Sequence, residues 1–189
     1  MYLEFIDKTV DNFVQNGIIE DENKELYAFG MRQGMTMVLN VATTVVIGAV
    51  LGMVWQSLLF MVSFIPLRSF AGGYHARTQL QCYLSSVVLI FISLLAIKFY
   101  TEINFIYLGL ALLGSILIFF LSPVESKNRP LDEMEKSVFK KKARTILVIE
   151  ICVLLLLLCV GWVMAIHCMA ISIGILGITV GLGRICQRG

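Results

Sequence analysis

The chain has 189 residues, of which 58% are hydrophobic and only 15% charged, with a formal net charge of +2. So apolar a composition excludes an ordinary soluble domain, whose surface could not carry it without aggregating, and leaves a polytopic helical membrane protein with a single membrane domain. The small net charge hides an uneven distribution, acidic in the N-terminal arm and basic between 127 and 144, and no nucleic acid is expected as a partner.

The first 34 residues hold seven acidic side chains and no apolar core run, so no cleavable secretory signal is expected there. Within 2–18, Leu3, Ile6, Val10, Phe13 and Ile18 recur at helical steps, with Asp7, Asp11 and Gln15 between them. That pattern predicts an amphipathic helix on the membrane surface or against the bundle. Gly17 and the run "EDENKE" break it, and a second short helix is expected over 21–32. The expected division is an N-terminal amphipathic, cytoplasmic arm over 1–34 and a transmembrane domain over 35–189.

From Met35 to Leu67 no residue carries a formal charge. As one helix this run would extend about 50 Å, against a hydrocarbon core of roughly 30 Å. It must tilt steeply or break near Gly48, Gly52 and Trp55 into two short helices, and we favour two crossings with the N-terminus inside. Pro66 is expected to end it, because a proline disfavours helix in the residue before it. The polar stretch 68–82 follows. Tyr83–Ile97 is apolar, 98–104 is a turn, and Phe105–Leu121 is apolar again. The region 122–144 reads as a basic loop with Pro123 and Pro130. Thr145–Ile166 and Ala170–Leu182 form a last apolar pair joined at His167 and Cys168. The fold class is therefore all-α, a membrane bundle of five to six apolar segments plus the N-terminal amphipathic helix.

The region 122–144 carries seven of the fifteen basic residues, which places it in the cytoplasm. Counting spans from there puts 98–104 and His167 outside and the stretch 68–82 inside. Cys152, Cys159 and Cys168 lie in or beside apolar runs and read as small hydrophobes. No cysteine or histidine group has zinc spacing, and no metal or other cofactor is expected.

The stretch "RSFAGGYHARTQLQC", Arg68 to Cys82, is polar and glycine-rich, and it holds one of the two histidines. In a straight helix His75 and Cys82 would share a face but stand about 10 Å apart along the axis, too far to share a proton. Thr78 and Gln81, however, fit the N-cap and N3 positions of a capping box. A helix starting there leaves Cys82 in its first turn, at the positive end of the helix dipole, where a thiolate is favoured. Gly72 and Gly73 then allow the preceding backbone to turn back with positive φ and bring His75 over the helix start. On the residues alone this is a candidate nucleophile and proton carrier, and an ordinary interfacial cysteine beside a loop histidine is the competing reading. Gln79 or Gln81 could orient the imidazole, and exposed amides are the alternative. Glu150, inside an apolar run, is a functional candidate by default. It lies six residues from Arg144, so snorkelling or an interfacial ion pair competes with that reading. Lys140, Lys141, Lys142 and Arg144 either hold an acidic substrate tail or simply set topology.

Arg68, "AGGYHA" over 71–76 and Cys82 match, in order and spacing, the signature of the accessory gene regulator protein B (AgrB) family, membrane endopeptidases of Gram-positive quorum sensing. The resemblance extends to the mixed N-terminus, the apolar run before the motif and the proline- and lysine-rich loop. It implies that Cys82 is the nucleophile, that His75 is its base and acid, and that Arg68, Gly72 and Gly73 support the site. The implied substrate is a small precursor peptide of the AgrD type. Its acidic C-terminal tail leaves, and the rest stays as an acyl-thioester that an internal cysteine or serine closes into a thiolactone or lactone. The family also implies a homodimer, for which the small-residue stripes Gly48/Gly52, Gly177/Gly181 and Gly109/Ala111/Gly114 are candidate faces. A peptide exporter or a non-catalytic membrane scaffold are the rival functions. An exporter should line several spans with polar residues, and few are present.

Overall fold

The structure, a computed structural model, describes residues 2–74, 78–99, 105–125 and 131–188. Among them every regular element is helical: α1 (Tyr2–Gln15), α2 (Lys24–Leu51), α3 (Val54–Ala71), α4 (Gln79–Phe99), α5 (Phe105–Leu121), α6 (Glu133–Val160) and α7 (Val163–Arg188). Five helices are long and apolar enough to cross a membrane, and α5 is a shorter apolar one. The multi-pass helical bundle expected from composition is thus borne out. The chain divides into two units, residues 1–43 and 44–189.

In the first unit the apolar stripe of α1 buries Ile6 and Val10 with Ile19 and Ala28. Its polar face is tied by Asp7 to Arg32 and by Asp11 to Lys24. Gly17, at φ +67°, turns the chain at the expected place. The short helix expected over 21–32 is not seen. A 3₁₀ turn at Asp21–Asn23 leads into α2, which runs unbroken from Lys24 to Leu51. Gly30 and Gly34 each weaken a helix by only about 1 kcal/mol relative to alanine, and no proline stands before Gly52 to stop it.

The second unit takes up α2 near its end. Gly52, at φ +70°, breaks the long apolar run as the length argument requires, and Met53 N–H closes the turn on the Gly48 carbonyl. The expectation of two short helices fails on the first side only, since α2 extends far upstream. Lys98 at the end of α4 donates to the Leu51 carbonyl at 3.2 Å, filling one acceptor that the helix end leaves open.

Pro66 does not end α3, which continues to Ala71. Proline forfeits a single i→i−4 bond at a cost of about 3 kcal/mol. Unwinding in an apolar setting would strand several backbone groups, each costing several kcal/mol. The helix stops six residues later at Gly72, φ +71°, whose N–H bonds the Arg68 carbonyl.

Two boundaries after α5 also differ from expectation. The charged residues 133–144 are not a loop but the first three turns of α6. Asp132 accepts the Glu135 N–H at 2.6 Å, and the Glu135 carboxylate accepts the Asp132 N–H in return. This capping box starts the helix well before its apolar part. Likewise α6 and α7 do not join at His167–Cys168. They join at Gly161, φ +74°, where the N–H groups of Gly161 and Trp162 both reach the Leu157 carbonyl. His167 is buried inside α7 with its ring edge-on to Tyr107, so it needs no loop to be accommodated. Replacing Asp132 by alanine should cost about 1 kcal/mol. The check is a lower midpoint of thermal unfolding in detergent, and an unchanged midpoint would mean that the box does not set this helix start.

Helix α7 is the centre of the second unit: its most apolar window is 67% buried, against 11–33% in the other spans. It packs most closely on α5. A Cβ at Gly114 would strike the Ile173 carbonyl, and one at Gly177 would strike the Gly114 backbone. Gly48 packs equally closely on Ser57. The small-residue faces suggested for dimerisation are therefore used, at Gly48, Gly114 and Gly177, inside the chain.

Candidate active site

The helices alternate, so the C-terminal ends of α3, α5 and α7 meet the N-terminal ends of α4 and α6. The contacts fix this: Phe70 packs edge-on against Phe139, the Lys142 ammonium lies 5.0 Å from the Phe70 ring centroid, and Gly72 pairs with Val124. The far end is marked by Lys98 on Leu51 and by Tyr107 bonded to the Ala96 carbonyl. Arg68, Lys136, Lys140, Lys141, Lys142, Arg144 and Arg184 all lie at the first end.

Arg68, in the last turn of α3, folds its guanidinium over the segment that follows. Nη1 donates to the Gly72 carbonyl and Nη2 to the Tyr74 carbonyl at 2.8 Å. Gly73 sits beneath it at φ +141°, and a Cβ there would collide with Nη1. Three further contacts hold the segment. The Val124 N–H donates to the Ala71 carbonyl at 2.9 Å, and a Cβ on Gly72 would collide with the Val124 carbonyl. Tyr74 N–H donates to the Thr179 carbonyl of α7 at 2.8 Å. Gly183, one turn on, allows that approach, since a Cβ there would stand 2.7 Å from the Gly73 carbonyl carbon. Gly72 and Gly73 therefore do reverse the chain with positive φ, but by tight packing rather than by loosening it.

Helix α4 starts where the capping pattern places it. Thr78 Oγ1 accepts the Gln81 N–H at 3.2 Å, and the Cys82 N–H makes the first helical bond to the Thr78 carbonyl at 3.0 Å. Cys82 is a free, half-buried thiol in that first turn. Arg68 is close enough to interact electrostatically with it. The expected continuous-helix objection thus disappears, because the chain is not helical from Gly72 to Thr78 wherever it is described. His75 itself lies outside the described residues, as do Arg77 and the side chain of Gln79. Gln81 is exposed.

The free thiol of Cys82 thus stands at a capped helix start, within electrostatic range of the guanidinium that closes on Gly72 and Tyr74. The whole sequence was then set beside known proteins. The accessory gene regulator B family profile matches residues 6–182. The chain belongs to the accessory gene regulator B family. It is 33% identical to accessory gene regulator protein B of Staphylococcus saprophyticus over 146 residues, covering 75% of this chain and 77% of the relative. It is 26% identical to the protein of the same name from Staphylococcus aureus, covering 68% and 71%, and 25% identical to an AgrB-like protein of Clostridium perfringens, covering 85% and 81%. No solved structure matches the chain.

Within this family member the remaining candidates separate. Lys140 and Lys141 are exposed on α6, whereas Lys142 lies over Phe70 and Arg144 is occupied. Arg144 donates twice to the Phe119 carbonyl, at 3.1 and 3.2 Å, with its guanidinium over the Phe119 ring. Glu150 neither snorkels nor pairs with Arg144. It is buried, and its carboxyl accepts the Ser63 Oγ–H at 3.2 Å, linking α6 to α3 five residues before Arg68.

Sequence reasoning missed Val124, Thr179, Gly183 and Glu125. Glu125 is held by Lys136 at 3.1 Å and by the Leu131 N–H at 3.2 Å. Burial acts to raise its pKa, but the bonds from Lys136 and Leu131 outweigh that and hold the carboxyl below its ordinary value. A lowered carboxylate stabilises the fold above its unfolded pKa and loses that contribution as pH falls through the folded one. This tie therefore holds at neutral pH and releases on acidification. The one sequence signal for these positions was "GLGR" at 181–184, a small-residue step just before a cation.

Proposed function

We propose that this chain is a membrane-embedded cysteine endopeptidase that removes the C-terminal tail of an AgrD-type precursor peptide and promotes its cyclisation. The observation that carries the reading is Cys82 in the capped first turn of α4, within electrostatic range of an Arg68 that the motif's own glycine turn holds in place. The thiolate attacks the scissile carbonyl, and the C–N bond breaks. His75 carries the thiol proton to the departing amine of the tail. The peptide remains as an acyl-thioester on Sγ. An internal thiol or hydroxyl then attacks that thioester, forming the thiolactone or lactone and returning Cys82. A thioester keeps the acyl group reactive, so the ring closes without ATP if water is kept away.

The same reading places the site on the cytoplasmic side of the cell membrane, because the end holding Arg68 and Cys82 also holds the basic residues of α6 and α7. With the native cysteines removed, a cysteine introduced at Lys136 should label from the cytoplasm only and one at Trp162 from outside only. Labelling of position 136 from outside would invert the orientation and separate the site from a newly made precursor. The reading also includes a homodimer, which cross-linking in native membranes that returns only monomer would remove. Incubating the purified protein in liposomes with its precursor and reading products by mass spectrometry tests the function. Tail release that persists in Cys82→Ala would favour a scaffold for another protease.

A further inference from the structure

At the rim of the motif turn, three elements converge on one carboxylate. Glu125 stands one residue after Val124, the partner of Gly72. Its Oε1 pairs with Lys136 Nζ of α6 at 3.1 Å, and its Oε2 accepts the Leu131 N–H at 3.2 Å. Arg184 stands one residue after Gly183, the glycine packed under Gly73 and Tyr74, and its charge acts on Glu125 as well. The Glu125 side chain is 26% exposed, so it is enclosed by these groups yet open to water on one side.

Of the other acids of this end, Asp132 and Glu135 bond each other's backbone N–H in the capping box, while Glu133 shares Lys136 from a side chain that is 91% exposed. Glu125 is therefore the more enclosed of the two carboxylates on Lys136, beside the Gly72–Tyr74 turn. It is bound as a guest carboxylate would be, by one ammonium, one backbone N–H and the field of a guanidinium. An anionic group entering from solvent meets Lys140 and Lys141 first, where exposed charges are screened and weak. To reach Lys136 from the enclosed side, within the field of Arg184, it must displace Glu125.

We propose that Glu125 is an internal stand-in for a carboxylate of the peptide substrate's tail: an acidic tail binds by displacing it from Lys136, so residue 125 determines how strongly the protein prefers an acidic tail. The inference rests on the peptidase reading and adds to it a residue that competes with the substrate. The Glu125→Gln variant keeps the shape and the acceptor for the Leu131 N–H, and so keeps the tie to Val124. Only the competing charge goes.

The test uses the full chain in phosphatidylcholine liposomes and a short fluorescent peptide rich in Asp and Glu, with its Asn/Gln counterpart as control. In a Cys82→Ser background, Glu125→Gln should bind the acidic peptide roughly threefold to tenfold more tightly, with no change for the amide peptide and a gain that shrinks as salt rises. Adding Lys136→Gln should abolish the gain. In the active protein the same charge loss should lower KM for an acidic-tailed precursor and not for its amide-tailed version. Equal affinity with and without Glu125 overturns the proposal, as does a parallel change for both peptides, which marks a structural strap. Binding that follows added anionic lipid and ignores residue 125 also overturns it and assigns the basic face to the membrane surface. The expected change in peptide binding without any precursor cleavage would sink the peptidase reading and leave the competition standing.

Discussion

Cys82→Ser should lower precursor turnover by more than roughly a hundredfold, because an alcohol is far less ionised than a thiol at neutral pH. His75→Ala should lose about 10²–10⁴-fold for a different reason: the thiol is intact but has no proton carrier. An intermediate separates the two defects. With a precursor whose internal nucleophile is replaced by alanine, ring closure is blocked, and the wild-type protein should accumulate a covalent peptide adduct. Hydroxylamine should release it, since it cleaves thioesters and spares peptide bonds. The adduct should be absent from Cys82→Ser and much reduced in His75→Ala. Tail release with no adduct and no dependence on Cys82 would end the cysteine mechanism and leave direct hydrolysis or a contaminating protease.

What was legible in the sequence was what is local. The N-cap at Thr78 depends on three following residues, and it places Cys82 in a first turn without help from the rest of the chain. The amphipathic stripe of α1 and the break at Gly52 follow from spacing and length in the same way. Local rules failed where the surroundings opposed them. Pro66 and the polar pair His167–Cys168 both carry turn-like signals, and both lie inside helices. In an apolar medium, leaving a helix strands more backbone groups than one proline or one buried imidazole costs. Asp132 and Glu135 are a local signal that was readable but hidden among other charges, which together looked like a loop. The anchors Val124, Thr179 and Gly183 could not have been read at all. Each matters only because the fold brings it to Gly72–Tyr74, from about 50 to 110 positions along the chain.

Those anchors give the second large effect. Gly73→Ala should reduce turnover by at least roughly a hundredfold while the protein remains folded in the membrane. The substitution does two things at once. It places a Cβ on a backbone at φ +141°, a conformation that costs an L-residue about 1–3 kcal/mol. It also drives that Cβ into Arg68 Nη1 and toward Thr179. Arg68 must then release the carbonyls of Gly72 and Tyr74, and the start of the connection from α3 to α4 loses its clamp. Gly161→Ala is the control. Its φ of +74° imposes a similar strain, but nothing lies within 4 Å of the added carbon, and it sits at the far end of the bundle. It should lower the unfolding midpoint by an amount worth about 1–2 kcal/mol and leave turnover of the folded fraction untouched. Arg68→Ala, which removes the group that collides, should leave Gly73→Ala with only its backbone strain in the double variant, a loss of stability with little further loss of turnover, because the two changes act on one clamp. Turnover and unfolding of all four proteins, measured in the same liposomes, decide the matter. If the losses from Arg68→Ala and Gly73→Ala simply add, the guanidinium and the glycine do not form one device, and the turn owes its shape to Val124 and Thr179 instead.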